Sequence, residues 1–500
     1  MSYLMGIDLG TSSVKVIIMN EYGVIESTAQ TSYGISIPEK GFAEQDPEVW
    51  WSATVKTIQL ALKEASIQSN EIKGIGYSGQ MHGMVLIDKN GNVIRPAIIW
   101  SDQRTINEVD EINSSLGKDY VGKVTLNPLS TGFQTPSLLW VKKYEPTSYK
   151  KINKVLLPKD YIRFRMTGEN GTDVTDASAT LAFDTKNRVW SKELILKLGL
   201  NPDIYPIVKN PSDIAGEVTL KAAEETGLHK GTLVVYGGGD QPMQSIGNGI
   251  VKPGQISLTI GTGGIVYSVT AEPKYDYKLR TNTFCNAVQG TWNIMGANLA
   301  AGLSLSWLNR NILSTLSYKE LNELAASISP GSEGLIFLPY LIGERTPHMD
   351  ASARGTFLGL TLKHTKANLV RSVMEGVVFA FRDSIEIFKG LDIKMDKFIA
   401  SGGGARSDIW LNIQANILNQ EIYKVNQPEQ ACVGAAIVAG VGVGLYDSIE
   451  EACTNIIKIK EDPIQPDPQI VDLYNETYPL YKEIYQQNME TFRKLGGVNY

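Results

Sequence analysis

This chain carries one local device twice, and that duplication limits the folds open to it more than any other feature. Leu4 to Asp8 reads as a strand-like run entering Gly10-Thr11-Ser12-Ser13; Val14 to Met19 is again β-rich and closes on a turn at Asn20-Glu21-Tyr22-Gly23. Ile256 to Ile260 likewise enters Gly261-Thr262-Gly263-Gly264 and leaves through Ile265 to Val269. A second pair accompanies the first. Thr232 to Tyr236 runs into Gly237-Gly238-Gly239-Asp240, and Phe398 to Ser401 runs into Gly402-Gly403-Gly404-Ala405-Arg406, each continuing as helix-like sequence. Two copies of one unit predict two lobes, 1–245 and 246–500. The interval between the paired devices is longer in the first lobe, which leaves room there for insertions that recognise a substrate.

Helical stretches such as Pro47 to Ala65 and Lys366 to Lys389 alternate with strand-like ones, the pattern of an α/β architecture. The 47 Lys and Arg against 53 Asp and Glu leave no basic surplus to neutralise a phosphate backbone, which argues against nucleic acid as a partner. No run of about eighteen apolar residues predicts a membrane span, and the start lacks a basic head followed by an apolar stretch. Cys285, Cys432 and Cys453 lie too far apart to form a disulfide framework, so a reducing, cytoplasmic location is expected. The four histidines show no metal-binding spacing; any metal is expected to be Mg²⁺ shared between a carboxylate and a substrate. Tyr474, Tyr478, Tyr481, Tyr485, Met489 and Phe492 share one helical face, which predicts a C-terminal helix docked on a lobe.

Gly74-Ile75-Gly76-Tyr77-Ser78-Gly79 satisfies the GxGxxG spacing, but a dinucleotide site needs a helix to open at those glycines. Met84 to Ile87, a turn at Asn90-Gly91 and Val93-Ile94 read instead as a hairpin, so these glycines belong to a buried strand. No GxxxxGK[ST] motif occurs. The two duplicated turns offer another way to hold phosphate, because small residues let successive backbone N–H groups converge on an anion. One such turn would be only a turn; two in matching contexts predict a phosphate chain gripped from both sides of a cleft.

Asp8 directly precedes the first turn, where a carboxylate could hold Mg²⁺ against phosphate; a turn cap is its simpler explanation. The matching position in the second copy is Thr259, so the acid is confined to one copy, which favours function. Asp240 follows a strand and three glycines, as either a helix cap or a general base that takes a proton from an attacking hydroxyl. Gln80-Met81-His82-Gly83 would place polar groups at a strand end, though a lone histidine there is more often structural. Trp100-Ser101-Asp102-Gln103-Arg104 offers a flat apolar face and polar groups of the kind sugars bind, or an internal Asp–Arg pair.

Taken together these residues resemble the FGGY family of carbohydrate kinases, from about Gly6 to Gly440. Five stretches carry the likeness: Gly79 to Gly83; Phe42-Ala43-Glu44-Gln45-Asp46-Pro47; Leu157-Pro158-Lys159-Asp160-Tyr161 with Asp173 to Ser178; Gly343-Glu344-Arg345-Thr346-Pro347-His348; and Gly402 to Arg406. A family signature also fits at Gly355 to Leu360 with Asn368-Leu369 and Ser372 to Glu375. The chain departs from the family pattern at Ser137, where lysine is usual, at Gln241, where asparagine commonly follows the aspartate, and at Gln430 to Gly434.

The resemblance implies a duplicated ribonuclease H-like, actin-like ATPase fold, with ATP and Mg²⁺ bound between two lobes and phosphorylation of a ketopentose at its terminal hydroxyl. It implies Asp240 as catalytic base and Asp8 as the Mg²⁺ and phosphate organiser. Thr11, Ser12, Ser13 and Lys15 are implied as phosphate contacts of the N-terminal lobe, and Gly261 and Thr262 as those of the other. Gly404 and Asp408 are implied at the nucleoside, and Met81, His82, Asp240 and Gln241 at the sugar. A homodimer is among the assemblies left open. So are a related kinase of ribulose, gluconate or another polyol, a non-catalytic sugar sensor, and a filament-forming ATPase.

Overall fold

The strand Tyr3–Leu9 buries Leu4, Met5, Ile7 and Leu9, both faces of its pleat, and so must lie inside a sheet covered on both sides. A computed structural model describing residues 1–425 and 427–496 places it there. The first sheet runs in the order Ile214–Glu217, Leu233–Val235, Ile72–Gly79, Tyr3–Leu9, Ser13–Asn20, Ile25–Ser32, with Gly238–Gly239 also paired to Ile72–Gly79. The second runs Asn282–Cys285, Trp292–Asn298, Gly264–Thr270, Gly254–Ile260, Met395–Gly402, Ile422–Lys424.

Both sheets are built alike. Tyr3–Leu9 pairs antiparallel with Ser13–Asn20 and parallel with Ile72–Gly79; Gly254–Ile260 pairs antiparallel with Gly264–Thr270 and parallel with Met395–Gly402. The helices Pro47–Ala65 and Lys366–Gly390 lie within the respective crossovers that parallel pairing requires. Even the registers agree. Asp8 lies between Lys15 and Ser78, and Thr259 between Ile265 and Ser401. The Ser78 hydroxyl donates to Asp8 at 2.7 Å, while the Thr259 and Ser401 hydroxyls bond each other at 2.7 Å. The fold is thus the duplicated α/β unit expected from the repeated turns.

Two helices join the lobes. Asp240–Gly247 crosses Gln430–Gly442 so closely that a Cβ on Gly434 would lie 1.9 Å from the Met243 carbonyl oxygen, and one on Gly247 1.9 Å from that of Gln430. Gln430–Gly442 also lies on the first sheet, where Cβ atoms on Gly6 and Gly76 would meet the carbonyl oxygens of Cys432 and Ala435 at 2.0 and 1.9 Å. Only hydrogen at these Cα atoms permits that approach. Residue 245, where the sequence reading divides the chain, falls inside the first of these helices, and the second sheet begins at Gly254.

The GxGxxG stretch lies in the strand Ile72–Gly79, followed by the strand Val85–Ile87 rather than a helix, which disposes of a dinucleotide site. The C-terminal helix Pro468–Gly496 docks through its aromatic face: Tyr474, Tyr478, Tyr481, Tyr485 and Phe492 are buried. Polar tips find partners as they must when buried: Tyr478 donates to Asp383 at 2.6 Å and Tyr474 to Glu375 at 2.7 Å. No helix among the described residues is long and apolar enough to cross a membrane.

Candidate active site

Asp8 and Lys15, which flank the first turn, and Gly261 and Thr262 of the second line two adjoining cavities. A cavity of about 810 Å³ is lined by Asp8, Lys15, Asp240 and Gln241 of the first half and by Gly402, Gly403, Arg406 and Glu429 of the second. A neighbouring cavity of about 570 Å³ shares Gly403 and Arg406 with it and is lined further by Gly261, Thr262, Gly404, Leu303, Leu305, Tyr318 and Trp410. The first is polar and holds the carboxylates; the second offers flat and apolar walls. An extended ligand with an apolar, planar end and a charged tail fits the pair.

Asp240 is the first residue of its helix, and Gly239 stands at the N-cap, so the carboxylate is not spent on capping. Burial, then the nearby charge of Asp8, pushes its carboxyl up to about 7, with Gln241 pulling the other way. Burial also raises the Asp8 carboxyl, against the Ser78 hydrogen bond and the Lys15 charge. Asp240 is therefore poised to exchange a proton near neutrality.

The Leu157 and Asp173 stretches of the sequence explain how Asp240 is aimed. Lys159 is fully buried, with its ammonium 2.6 Å from Asp160, 2.7 Å from Asp173 and 3.2 Å from Asp176. Asp173 accepts from the Thr175 backbone N–H at 2.7 Å as well as from its hydroxyl, and that hydroxyl in turn accepts the Gly239 N–H at 3.0 Å. A rigid polar hub thus fixes the peptide just before Asp240. This role follows from contacts between distant segments and has no local sequence signal.

The remaining expected residues divide. Met81 is buried and packs where a Cβ on Gly239 would be, 2.7 Å from its Cγ. His82 adopts φ 70°, packs against Phe133 with ring centroids 3.9 Å apart and planes tilted by 34°, and bonds the Ala179 carbonyl through Nδ1 at 2.9 Å. Because a carbonyl only accepts, Nδ1 carries the proton and Nε2 is left as an acceptor. Burial, helped by Arg345, lowers the ring to about 4, so His82 is neutral at physiological pH. The Thr11 hydroxyl accepts the Trp100 indole N–H at 2.8 Å, and that of Ser13 accepts from Gln30 at 2.9 Å. The Ser12 carbonyl accepts from the Tyr33 N–H at 3.0 Å.

The crevice does not gather every expected residue. Thr11, Ser12, Ser13, Met81 and His82 line neither of the two cavities. Asp408 starts the helix Asp408–Leu418 but lines neither cavity: its side chain, 83% exposed, pairs at 2.5 Å with Lys424, which lines the first, while Ser407 and Trp410 line the second. Ser137 bonds the Phe133 carbonyl at 3.0 Å within its own helix and is buried, so that departure from the family pattern bears on packing. Asp102 and Arg104 form the internal pair, at 2.7 Å. Arg406, Lys424, Glu429 and Lys460 were not picked out from the sequence as charged cavity residues, since a single charge carries no pattern that says which cavity it faces.

The donor set fits a hard cation. Asp8 spends one oxygen on Ser78, and its carboxylate faces the cavity beside Lys15. No group of three or more His, Cys, Asp or Glu able to hold a metal occurs among the described residues, so a cation here would take most of its ligands from phosphate and water, as Mg²⁺ does.

Residues 3–247 match the N-terminal domain, and residues 256–443 the C-terminal domain, of the FGGY family of carbohydrate kinases. The chain is 36% identical over 500 residues to a xylulose kinase of Bacillus subtilis, covering 99% of this chain and 100% of that one. It is 35% identical over 483 residues to a xylulose kinase of Escherichia coli, covering 96% and 98%. Among solved structures, one described as a xyloylose kinase from Brucella ovis superposes with a TM-score of 0.90 at 33% identity, covering 98% of this chain and 100% of that one. A gluconate kinase from Lactobacillus acidophilus superposes with a TM-score of 0.93 at 25% identity, covering 99% of each.

Proposed function

Because this chain belongs to the FGGY family of carbohydrate kinases, we propose that it transfers the γ-phosphoryl group of ATP to the C5 hydroxyl of D-xylulose, giving D-xylulose 5-phosphate. The observation that carries the reading is the shared cavity: an acid pushed up to about 7, a second acid and a cation stand together in a polar cavity lined by both halves of the chain, next to a second cavity lined by Gly261 and Thr262. The substrate assignment draws on relatives 35–37% identical over nearly the whole chain that are xylulose kinases.

In this reading the first lobe, residues 1–245, holds the sugar against Met81, His82 and Gln241, with its C5 hydroxyl at Asp240. The second lobe, residues 246–500, holds most of ATP. The nucleoside lies in the cavity of Leu303, Tyr318 and Trp410, and Gly404 gives room for it. The phosphates pass Gly261 and Thr262 toward Lys15, with Thr11, Ser12 and Ser13 across the crevice. Asp240 takes the hydroxyl proton as the oxygen attacks phosphorus; placement and charge neutralisation supply most of the rate. Closing the lobes would exclude the water that could otherwise attack ATP. Asp8 and the phosphates would hold Mg²⁺, which when bound neutralises charge on the transferring group. The three unpaired, buried cysteines are in keeping with work in the cytoplasm.

A panel of D-xylulose, D-ribulose, L-ribulose, gluconate and glycerol, followed by ADP release, tests this. D-Xylulose should give the largest kcat/KM. A larger value for gluconate would replace the sugar and leave phosphoryl transfer standing, an outcome the gluconate kinase likeness makes the second reading. ADP release from none of these would overturn both.

A further inference from the structure

Asp8 and Lys15 are direct cross-strand partners in the antiparallel pair of Tyr3–Leu9 and Ser13–Asn20. Opposite charges in that relation share a face of the sheet and ordinarily pair. Here they do not. The Lys15 ammonium lies 2.7 Å from a Glu429 carboxylate oxygen, while Asp8 takes its hydrogen bond from the uncharged Ser78 hydroxyl.

Glu429 is unusually well placed for this. It stands at the N-cap of Gln430–Gly442 with φ 49°, a left-handed conformation uncommon outside glycine. Its side chain accepts no capping bond from the helix, so its carboxylate is free to reach Lys15. The helix behind it is wedged on the first sheet, where Gly6 leaves space for the Cys432 carbonyl. The ion pair retains partial access to the crevice, with 32% of the Lys15 side chain and 26% of that of Glu429 exposed. The charged groups that face Lys15 are Asp8, from the adjacent strand, and Glu429, from the crossing helix.

We propose that Glu429 is a positioning residue that holds Lys15 away from Asp8, leaving the Asp8 carboxylate open to a hydrated divalent cation while Lys15 stays aimed at incoming phosphate. Without Glu429 the ammonium has one charged neighbour left, its cross-strand partner, and would close on it. This rests on the reading of Asp8 as the cation-holding carboxylate.

The test uses the full chain with Mn²⁺ as the probe in the presence of ADP and no sugar, counting free Mn²⁺ by its electron paramagnetic resonance signal. Glu429→Gln should weaken Mn²⁺ binding by roughly threefold or more, the scale of one partly exposed ion pair. In a Lys15→Met background the same Glu429→Gln change should have no effect, because nothing remains to swing onto Asp8. Equal losses in both backgrounds would mean that Glu429 acts only through its charge at a distance, and would overturn the proposal, as would unchanged binding in Glu429→Gln. Asp8→Asn separates the two layers. If it weakens Mn²⁺ binding while Glu429→Gln does not, only the positioning role falls; if it leaves binding unchanged, the underlying reading of Asp8 falls with it.

Discussion

The charge of Asp8 raises the carboxyl of Asp240: after burial itself, it is the largest reason that Asp240 is pushed up to about 7. The two acids come from opposite ends of the first half of the chain and meet in one cavity, so the charge on Asp8 bears on how readily Asp240 holds a proton.

A base must be unprotonated to act. The value of kcat/KM should therefore fall about tenfold per pH unit below an acid limb centred near pH 7, well above the range of an ordinary aspartate. In Asp8→Asn the residual turnover should show that limb at lower pH, since one raising charge is gone. A pH–rate profile of both proteins checks this; a limb below pH 5 in the unaltered enzyme contradicts the assignment of Asp240.

Replacing Asp240 by asparagine should lower turnover by roughly 10² to 10⁴ while sugar still binds, as read by calorimetry with the sugar alone. The same change should stabilise the empty protein. A carboxyl raised in the folded state above its ordinary 3.8 favours folding least when ionised, a cost absent below that value and complete once pH has risen through about 7. Asp240→Asn should thus raise the melting temperature at pH 8 and leave it unchanged near pH 4.

His82 is lowered to about 4 and is neutral where the enzyme works, so it should add no limb to the profile between pH 5 and 8. In the proposed placement of the sugar, His82→Ala removes one neutral acceptor beside it, which should raise the KM for sugar roughly three- to tenfold and leave the KM for ATP within about twofold. Steady-state kinetics in both substrates decides it, and an equal rise in both constants would place His82 elsewhere.

Gly434→Ala should be destabilising although alanine is the better helix former. Its Cβ would stand 1.9 Å from the Met243 carbonyl oxygen, a backbone atom that cannot turn aside. Overpacking typically costs about 1–3 kcal/mol, and a backbone clash this close belongs at the upper end, above the gain of about 1 kcal/mol in helix propensity. Urea unfolding should show a lower midpoint.

Much of this was legible from the chain alone because it is local. The repeated turns, the strands that flank them and the acid present in only one copy all lie within short windows whose residue types restrict the backbone directly. The aromatic face of the C-terminal helix is of the same kind, because a spacing of three and four residues is itself a statement about direction.

What needed the tertiary structure was the partner of each charge. Lys15 could have met its neighbour Asp8, yet meets Glu429; Lys159 gathers three aspartates behind Asp240; and Asp408, next in sequence to the cavity-lining Ser407, lines neither cavity and pairs with Lys424. Strand, turn and helix follow from neighbouring residues, but a carboxyl's burial and the charges around it depend on segments brought together by the fold, from a dozen or so positions apart around Lys159 to several hundred between Lys15 and Glu429. Their meeting leaves no periodicity in the chain, and it is what raises the Asp240 carboxyl to about 7 instead of leaving it in the range of an ordinary surface acid.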